Sequence, residues 1–513
     1  MSDERANHVV DEATAHASSL DIDEAAMRAL SEQSVALVAD YFKNIQTLPV
    51  FPDSAAINRL KEIRDAKPPI ESEAVARIFD DFRLVLDASR HNGHPRFFGY
   101  IASPSTPVGA YADLLASALN SNVTSWRSSP AATEVERTVV RWLAELVGYG
   151  SDASGLLTSG GSLANLTALL MAHRAHAPQE VALKGLRAID MPMTVYASNQ
   201  VHLSIPKAAD VLGLGREQVR TVEADEMFRM DVRHLRERID ADVRAGLKPF
   251  CVVASAGTVN TGAVDPLEEI ARVAEEYDLW LHVDGAYGAL ATMDAEKHSL
   301  FRGMERADSL SLDAHKWLYA PVDCGCLLFR DAGAARNAFS TTEADYIKVH
   351  EEEEREAFAF WDYGIELSRR FRALKLWMML RYYGSRRLAE AISSNNRLAQ
   401  YLAEALRAAE DFELLAPVSL SICCFRYVPE ALRRKLEGAR NDVEREAINV
   451  ELDEMNTRIM HAVQRGGRAY ISNATLRGRV SLRACITNFR TTRADMNRTL
   501  DIIRDAARDL DYE

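Results

Sequence analysis

Several features are scarce or missing in this chain of 513 residues. Its six cysteines, Cys251, Cys324, Cys326, Cys423, Cys424 and Cys485, form no C-x-x-C pair and no zinc-type spacing. A chain of this length needs no disulfide staples, so neither a disulfide scaffold nor a metal site is expected. Positive charge is outweighed: 61 Lys and Arg stand against 75 Asp and Glu, a formal net charge of −14. A nucleic-acid partner would want a basic surface, so none is expected. No apolar run is long enough to span a bilayer, so no membrane is expected either. The opening MSDERANHVVDEA is acidic and polar, unlike a secretory signal, which makes the reducing cytoplasm the expected compartment. No internal repeat or low-complexity tract appears. What remains is a globular composition, 47% hydrophobic and 27% charged, long enough for more than one domain.

Three regions can be separated. Residues 1–106 read as helices with irregular connections; Met27, Leu30, Val35, Leu37, Val38, Tyr41 and Phe42 repeat at helical spacing. With no strand signals of its own, this region is expected to pack on something else. Residues 107–370 alternate helices with short runs rich in β-branched or apolar residues, at 193–198, 218–223, 250–255, 279–284 and 309–314. A helix opening at Asp265-Pro266, with Glu268 placed for a capping box, lies before the strand LWLHVD. This rhythm predicts an α/β domain built on a mostly parallel sheet covered on both faces, with ligands bound beyond the C-terminal strand ends. Residues 371–513 begin with a long helix and then mix strands, SLSICCFRYV and GRVSLRACI, with a last helix near Asp495 to Asp509, reading as a smaller α+β domain.

Three motifs in the middle region carry chemistry. In LLTSGGSLANLTALL, a Gly-rich turn opens a helix with Leu163, Leu166 and Leu170 as its apolar face. Free backbone N–H groups there can hold an anion, and Gly160 and Gly161 let it come close. The bland alternative is an ordinary loop with a serine cap. The nucleophile elbow G-x-S-x-G fails, because Leu163 and Ala164 follow Ser162, and the phosphate loop GxxxxGK[ST] fails for want of a lysine. In HVDGAYG, Asp284 ends a strand at the ligand edge, where a carboxylate needs a cation or several hydrogen bonds; its bland reading is a turn cap. In SLDAHKWLYAP, Lys316 also follows a strand, flanked by His315 and Trp317. Desolvation would make it a nucleophile toward a carbonyl, against the bland reading of a surface charge.

In this order, TSGGSLANL, HVDGAYG and DAHKW resemble the motifs of group II pyridoxal-phosphate decarboxylases. These include the aromatic-L-amino-acid, glutamate and cysteine-sulfinate decarboxylases. The block at 94–136 and IELSRRFRALKLWMMLRYYG resemble further segments, so the likeness runs from about residue 30 to the C-terminus. It implies a large aminotransferase-like (fold type I) domain with a seven-stranded type of sheet, and an obligate homodimer with shared active sites. It implies pyridoxal 5′-phosphate bound to Lys316 as a Schiff base. A carboxylate at Asp284 would pair with the pyridine nitrogen and keep it protonated, so that the ring can act as an electron sink. By the same likeness Gly161 and Ser162 hold the phosphate, His202 stacks on the ring, and Thr258 and Ala286 are ring-side contacts. His315 is a contact beside the lysine, and Ser368 reaches the phosphate from the neighbouring subunit, at a position where the family often has Gly. Asp313 stands where the aromatic enzymes commonly carry Asn, which leaves its role open. The segment 339–354 resembles the family's catalytic loop, with Tyr346 at the position that returns a proton to Cα, assisted by His202 as a further catalytic residue; aldehyde synthases have Phe in place of that Tyr.

The substrate pocket implied by the likeness contains Tyr100, Ile101, Asn122 and Thr124, with Arg483 as candidate carboxylate contact. Asn122 and Thr124 replace the bulky apolar residues of many aromatic enzymes, but FFGYIASPS resembles the aromatic branch. The expected reaction is decarboxylation of tryptophan, tyrosine, dopa or phenylalanine. The alternatives are an acidic substrate, for which Arg127 is the nearest candidate cation, and aldehyde synthesis.

Overall fold

The computed structural model describes residues 20–340 and 357–511. It divides into two compact units, Met1–His91 and Asn92–Glu513.

From residue 20 on, the first unit is helical, as expected. Its helix Glu24–Asn44 is capped by Asp23, whose carboxylate accepts the Ala26 N–H at 2.7 Å. No residue of that helix is buried, and Met27 and Val35 of its apolar stripe are exposed. The helix Val75–Asp87 likewise exposes Val75, Ile78, Phe82 and Val85, burying only Leu84.

The second unit is built on a sheet of seven strands: β1 (Ser154–Thr158), β2 (Met193–Ser198), β3 (Val219–Val222), β4 (Lys248–Ser255), β5 (Trp280–Asp284), β6 (Ser309–Asp313) and β7 (Gly325–Phe329). Their order is β1-β7-β6-β5-β4-β2-β3. β2 to β6 are parallel, and β7 runs antiparallel to both β6 and β1. β5 and β7 are buried along their whole length, so both faces are covered, and this explains the unbroken apolar run GCLLF of β7. β1 and β7 were not among the runs picked out in the sequence. Because two antiparallel steps separate them, β1 points the same way as β6, and six strands deliver their C-terminal ends to one edge.

Two local expectations fail. The buried face of the helix Gly161–His176 is Ala164, Asn165, Ala168, Leu169, Met171 and Ala172, while Leu163, Leu166 and Leu170 are only half-buried. The capping box at Asp265 does not form. That carboxylate instead accepts the N–H groups of Met230 and Ser255 at 2.7 Å each, tying the end of β4 to a neighbouring loop, and burial pushes its pKa up to about 6.

The C-terminal part adds a four-stranded antiparallel sheet that contains β8 (Phe412–Leu414), β9 (Ile422–Tyr427), β10 (Ser472–Leu476) and β11 (Arg479–Cys485). The helix Ala373–Ala408 joins it to the large sheet. Its N-terminal part, with Leu376, Met379 and, further on, Ile392, enters the main core, and its C-terminal part, with Leu398, Leu402 and Leu406, enters the core of the small sheet. At Gly384 the backbone takes φ 73, where a left-handed conformation favours glycine. Among the described residues no helix is long and apolar enough to cross a membrane.

Candidate active site

The common strand edge opens on a cavity of about 560 Å³. β5 ends in Asp284, whose register neighbours are Ser255 on β4 and Ser311 on β6. β6 ends in Asp313 and leads straight into the short helical turn Ala314–Trp317, which carries His315 and Lys316. β1 leads into the Gly160-Gly161 turn and the sixteen-residue helix Gly161–His176. The sequence pattern therefore puts all three motifs at one site because their strands share a direction.

The turn after β1 is pressed close to β7. A Cβ on Gly325 would lie 2.5 Å from Gly160 Cα, and one on Gly161 would lie 2.9 Å from Ala286 Cβ. Side chains are thus excluded from the place where an anion would meet backbone N–H groups at a helix start. Glu136 and Arg369 hold the end of β1 just before this turn. They form a fully buried ion pair, and the carboxylate accepts the Leu157 N–H at 2.9 Å while the guanidinium donates to the Leu157 carbonyl at 2.8 Å.

Asp284 is buried and accepts three hydrogen bonds: from Asn165 Nδ2 at 2.9 Å, from Ala286 N–H at 3.1 Å and from the Ser311 hydroxyl at 3.3 Å. Lys316 Nζ stands 3.1 Å from Asp313 Oδ2, and His315 Nε2 lies 3.6 Å from the same oxygen. Asp313, whose role the sequence left open, is therefore the lysine's counter-ion. Its other oxygen, Oδ1, is buried without a hydrogen-bond partner among the described residues. Burial lowers the pKa of His315, Asp313 raises it and Lys316 lowers it further, with a net shift downward. The Cys324 N–H donates to its Nδ1 at 3.2 Å, so the neutral ring carries its hydrogen on Nε2.

Tyr100, Ile101, Ser162, His202, Thr258, Ala286 and Arg483 also line this cavity. The Thr258 hydroxyl accepts the Ala263 N–H at 3.1 Å and stands 3.0 Å from Thr261 Oγ1. Arg483 is on the wall, but its guanidinium is engaged. It donates to the carbonyls of Asn260 (3.1 Å), Tyr100 (2.9 Å) and Val259 (2.7 Å) and to Ser472 Oγ (3.2 Å).

Asn122, Thr124 and Arg127 do not line the cavity within one chain, and neither does Ser368, which was expected to act from a neighbouring subunit. Asn122, Arg127 and Ser368 are exposed. Asn122 and Ser368 belong to a patch organised by Arg369, whose N–H donates to Asn122 Oδ1 at 2.9 Å and whose side chain donates to the Val123 carbonyl at 3.0 Å. Thr124 pairs with Ser128 at 2.7 Å. Tyr346 lies outside the described residues. Asn165, Ser204 and Ser311 were missed in the sequence; the available signal was a polar residue, Asn165, on the small-residue face of the helix.

The donor set fits pyridoxal phosphate: a backbone anion cradle that side chains would fill, a buried carboxylate for a ring nitrogen, and a lysine amine, all on one cavity. The comparisons with known proteins agree. Residues 58–428 match the family model of the pyridoxal-dependent decarboxylase conserved domain. An aromatic-L-amino-acid decarboxylase of Bacillus atrophaeus is 35% identical over 92% of this chain and 93% of its own. A phenylacetaldehyde synthase of Petunia hybrida is 33% identical over 88% of each chain. The crystal structure of Oryza sativa TDC with PLP and tryptamine superposes with a TM-score of 0.86 at 29% identity, over 95% of this chain and 99% of the other. The chain is a member of the pyridoxal-dependent decarboxylase family.

Proposed function

We propose that the chain decarboxylates aromatic L-amino acids to the corresponding amines and carbon dioxide. The observation that carries this reading is the state of the cavity wall. Tyr100, Ile101, Val259 and Val322 give it aromatic and aliphatic surface. Its two cations among the described residues, Lys316 and Arg483, are committed to Asp313 and to four acceptors of the wall itself. Neither is left to fix an acidic side chain, so a flat apolar one suits the wall better. The Bacillus atrophaeus and Oryza sativa relatives point the same way.

When bound, the cofactor supplies the electron sink for loss of carbon dioxide. Lys316 is the amine that would hold it, and Asp313 keeps the lysine side chain placed for this. Asp284 would set a negative charge toward the cofactor's ring nitrogen, and the turn at Gly161 and Ser162 would hold its phosphate. Thr258, Ala286 and His315 complete the wall, and Tyr346 returns the proton to Cα.

This reading includes a homodimer with shared sites. The exposed stripes of the helices Glu24–Asn44 and Val75–Asp87 are the kind of surface a second copy would cover. The patch carrying Asn122, Thr124 and Ser368 would then complete the neighbour's cavity. Sedimentation of the full chain should give about twice its 57.1 kDa mass; a monomer at working concentration would leave Asn122, Thr124 and Ser368 without a role.

The test of function is a panel of amino acids assayed for carbon dioxide, amine and aldehyde. Tryptophan, tyrosine, dopa or phenylalanine should give carbon dioxide and amine in equal amounts, with glutamate, aspartate and cysteine sulfinate inert. Turnover of the acidic set alone would overturn the aromatic reading. The petunia relative raises aldehyde formation as a second outcome, and Tyr346 argues against it. Tyr346→Phe, run beside the wild type, should move product toward aldehyde, ammonia and peroxide, because a Cα left unprotonated is open to dioxygen. A wild type that already makes aldehyde would favour the second outcome.

A further inference from the structure

A chain of buried hydrogen bonds runs behind the cavity, and the direction of every hydrogen in it can be deduced. Asn165 Nδ2 is 2.9 Å from Asp284 Oδ2 and 2.9 Å from Ser204 Oγ, and Asn165 Oδ1 is 3.0 Å from His282 Nε2. An ionised carboxylate only accepts, so the amide must turn its NH₂ toward Asp284 and its oxygen toward His282. His282 therefore carries its hydrogen on Nε2, and its Nδ1 accepts from the Ser309 hydroxyl at 2.9 Å. Ser309 Oγ in turn accepts the Trp280 indole N–H at 2.8 Å. Burial holds the His282 pKa well below its ordinary value, in keeping with the neutral ring this requires.

The other end gives the same answer independently. The Ser204 backbone N–H can only donate, and it points at His202 Nδ1 at 3.2 Å. His202 Nδ1 is thus an acceptor, so the Ser204 hydroxyl, 2.8 Å away, must donate to it. That leaves the Ser204 oxygen to accept from Asn165, the direction already deduced from Asp284.

We propose that His202 works as a locked neutral hydrogen-bond donor through Nε2–H, not as a proton carrier, and that Asn165 is the positioning residue that locks it. Two donors face Nδ1, and charging the ring would place a third hydrogen among them. Nε2, already protonated, has no partner among the described residues and belongs to a side chain that lines the cavity. It offers a hydrogen to an oxygen lone pair of the bound molecule. The charged groups facing His202 are Asp284, Lys316 and Asp313. Burial lowers its pKa, Asp284 and Asp313 raise it and Lys316 lowers it, with the net shift below the ordinary 6.5. Proton return to Cα then falls to Tyr346 without His202. Only the choice of bound molecule rests on the proposed function; the tautomer does not.

The test is imidazole ¹⁵N NMR of the histidine-labelled full chain, with His202→Gln assigning the signal by its loss. The expected result is Nε2–H with bare Nδ1, unchanged across about pH 6 to 8, where an ordinary histidine titrates. A signal that titrates in that range, or carries its hydrogen on Nδ1, overturns the proposal even if the enzyme decarboxylates as proposed. Ser204→Ala, which cuts the link to Asn165, should bring a titration into this range; an unmoved signal there would remove Asn165 from the role. In the holoenzyme, His202→Phe should lower kcat/KM about 10- to 100-fold, the scale of one hydrogen bond to a charged group. His202→Gln, which keeps a neutral N–H donor, should recover most of that loss without losing a limb of the pH profile. If glutamine is as poor as phenylalanine, a neutral donor is not what the site uses.

Discussion

Lys316→Ala should lower carbon dioxide release by about 10⁴-fold or more, the scale on which removal of a covalent catalytic group registers. Among the described residues the other cation on the cavity wall is Arg483, a guanidinium that stays protonated and is spent on four acceptors. No second amine of the described wall can take the place of Nζ. The same substitution removes the counter-ion of Asp313, whose side chain is only 3% exposed. Part of any loss could then come from a weakened fold, since an uncompensated buried charge is expensive. Lys316→Arg separates the two effects: it keeps a cation for Asp313 but cannot join an aldehyde. It should be as inactive as the alanine variant yet melt at a higher temperature. Borohydride should fix the cofactor to the wild-type chain and to neither variant. Covalent fixation in Lys316→Ala would show that another residue holds the cofactor.

Asp284→Asn should lower kcat by about 10²- to 10³-fold, the scale of removing one preorganised charge-stabilising group. The substitution preserves shape and removes charge. It also disturbs the donors that converge on this side chain from Asn165, Ala286 and Ser311, because an amide nitrogen cannot accept. Asp284→Glu restores the charge at a displaced position and should recover part of the rate. An asparagine variant with wild-type kcat would mean that the negative charge at the strand end is not used in the reaction.

How much of this was legible beforehand can be argued from particular residues. Asp284 and Lys316 were placed at one edge because a parallel sheet sends its strand ends to one side, and the structure has that geometry. β7 was missed because its run GCLLF is buried throughout and shows no alternation, so periodicity cannot mark it. The helix Gly161–His176 was assigned the wrong face: Ala164, Ala168 and Ala172 are buried while Leu163, Leu166 and Leu170 are half out. Asn165 was illegible for a different reason. Its partners are 39, 117 and 119 residues away in the chain, and no local pattern reports such distances. Asn122 and Thr124 show a further limit, since a motif can name a pocket residue without saying whether one chain alone brings it to the pocket.

The clamp made by Arg483 has a consequence for how this site can change over generations. Its acceptors at Tyr100, Val259 and Asn260 are main-chain carbonyls, and Ser472 is the one side chain among them. The wall is therefore braced through atoms that every amino acid possesses. Mutation can exchange the side chains at 100, 259 and 260, and so retune which molecule is welcomed, while the brace stays intact. Arg483 is the residue that drift must leave alone, and the positions it grips are the ones selection is free to explore.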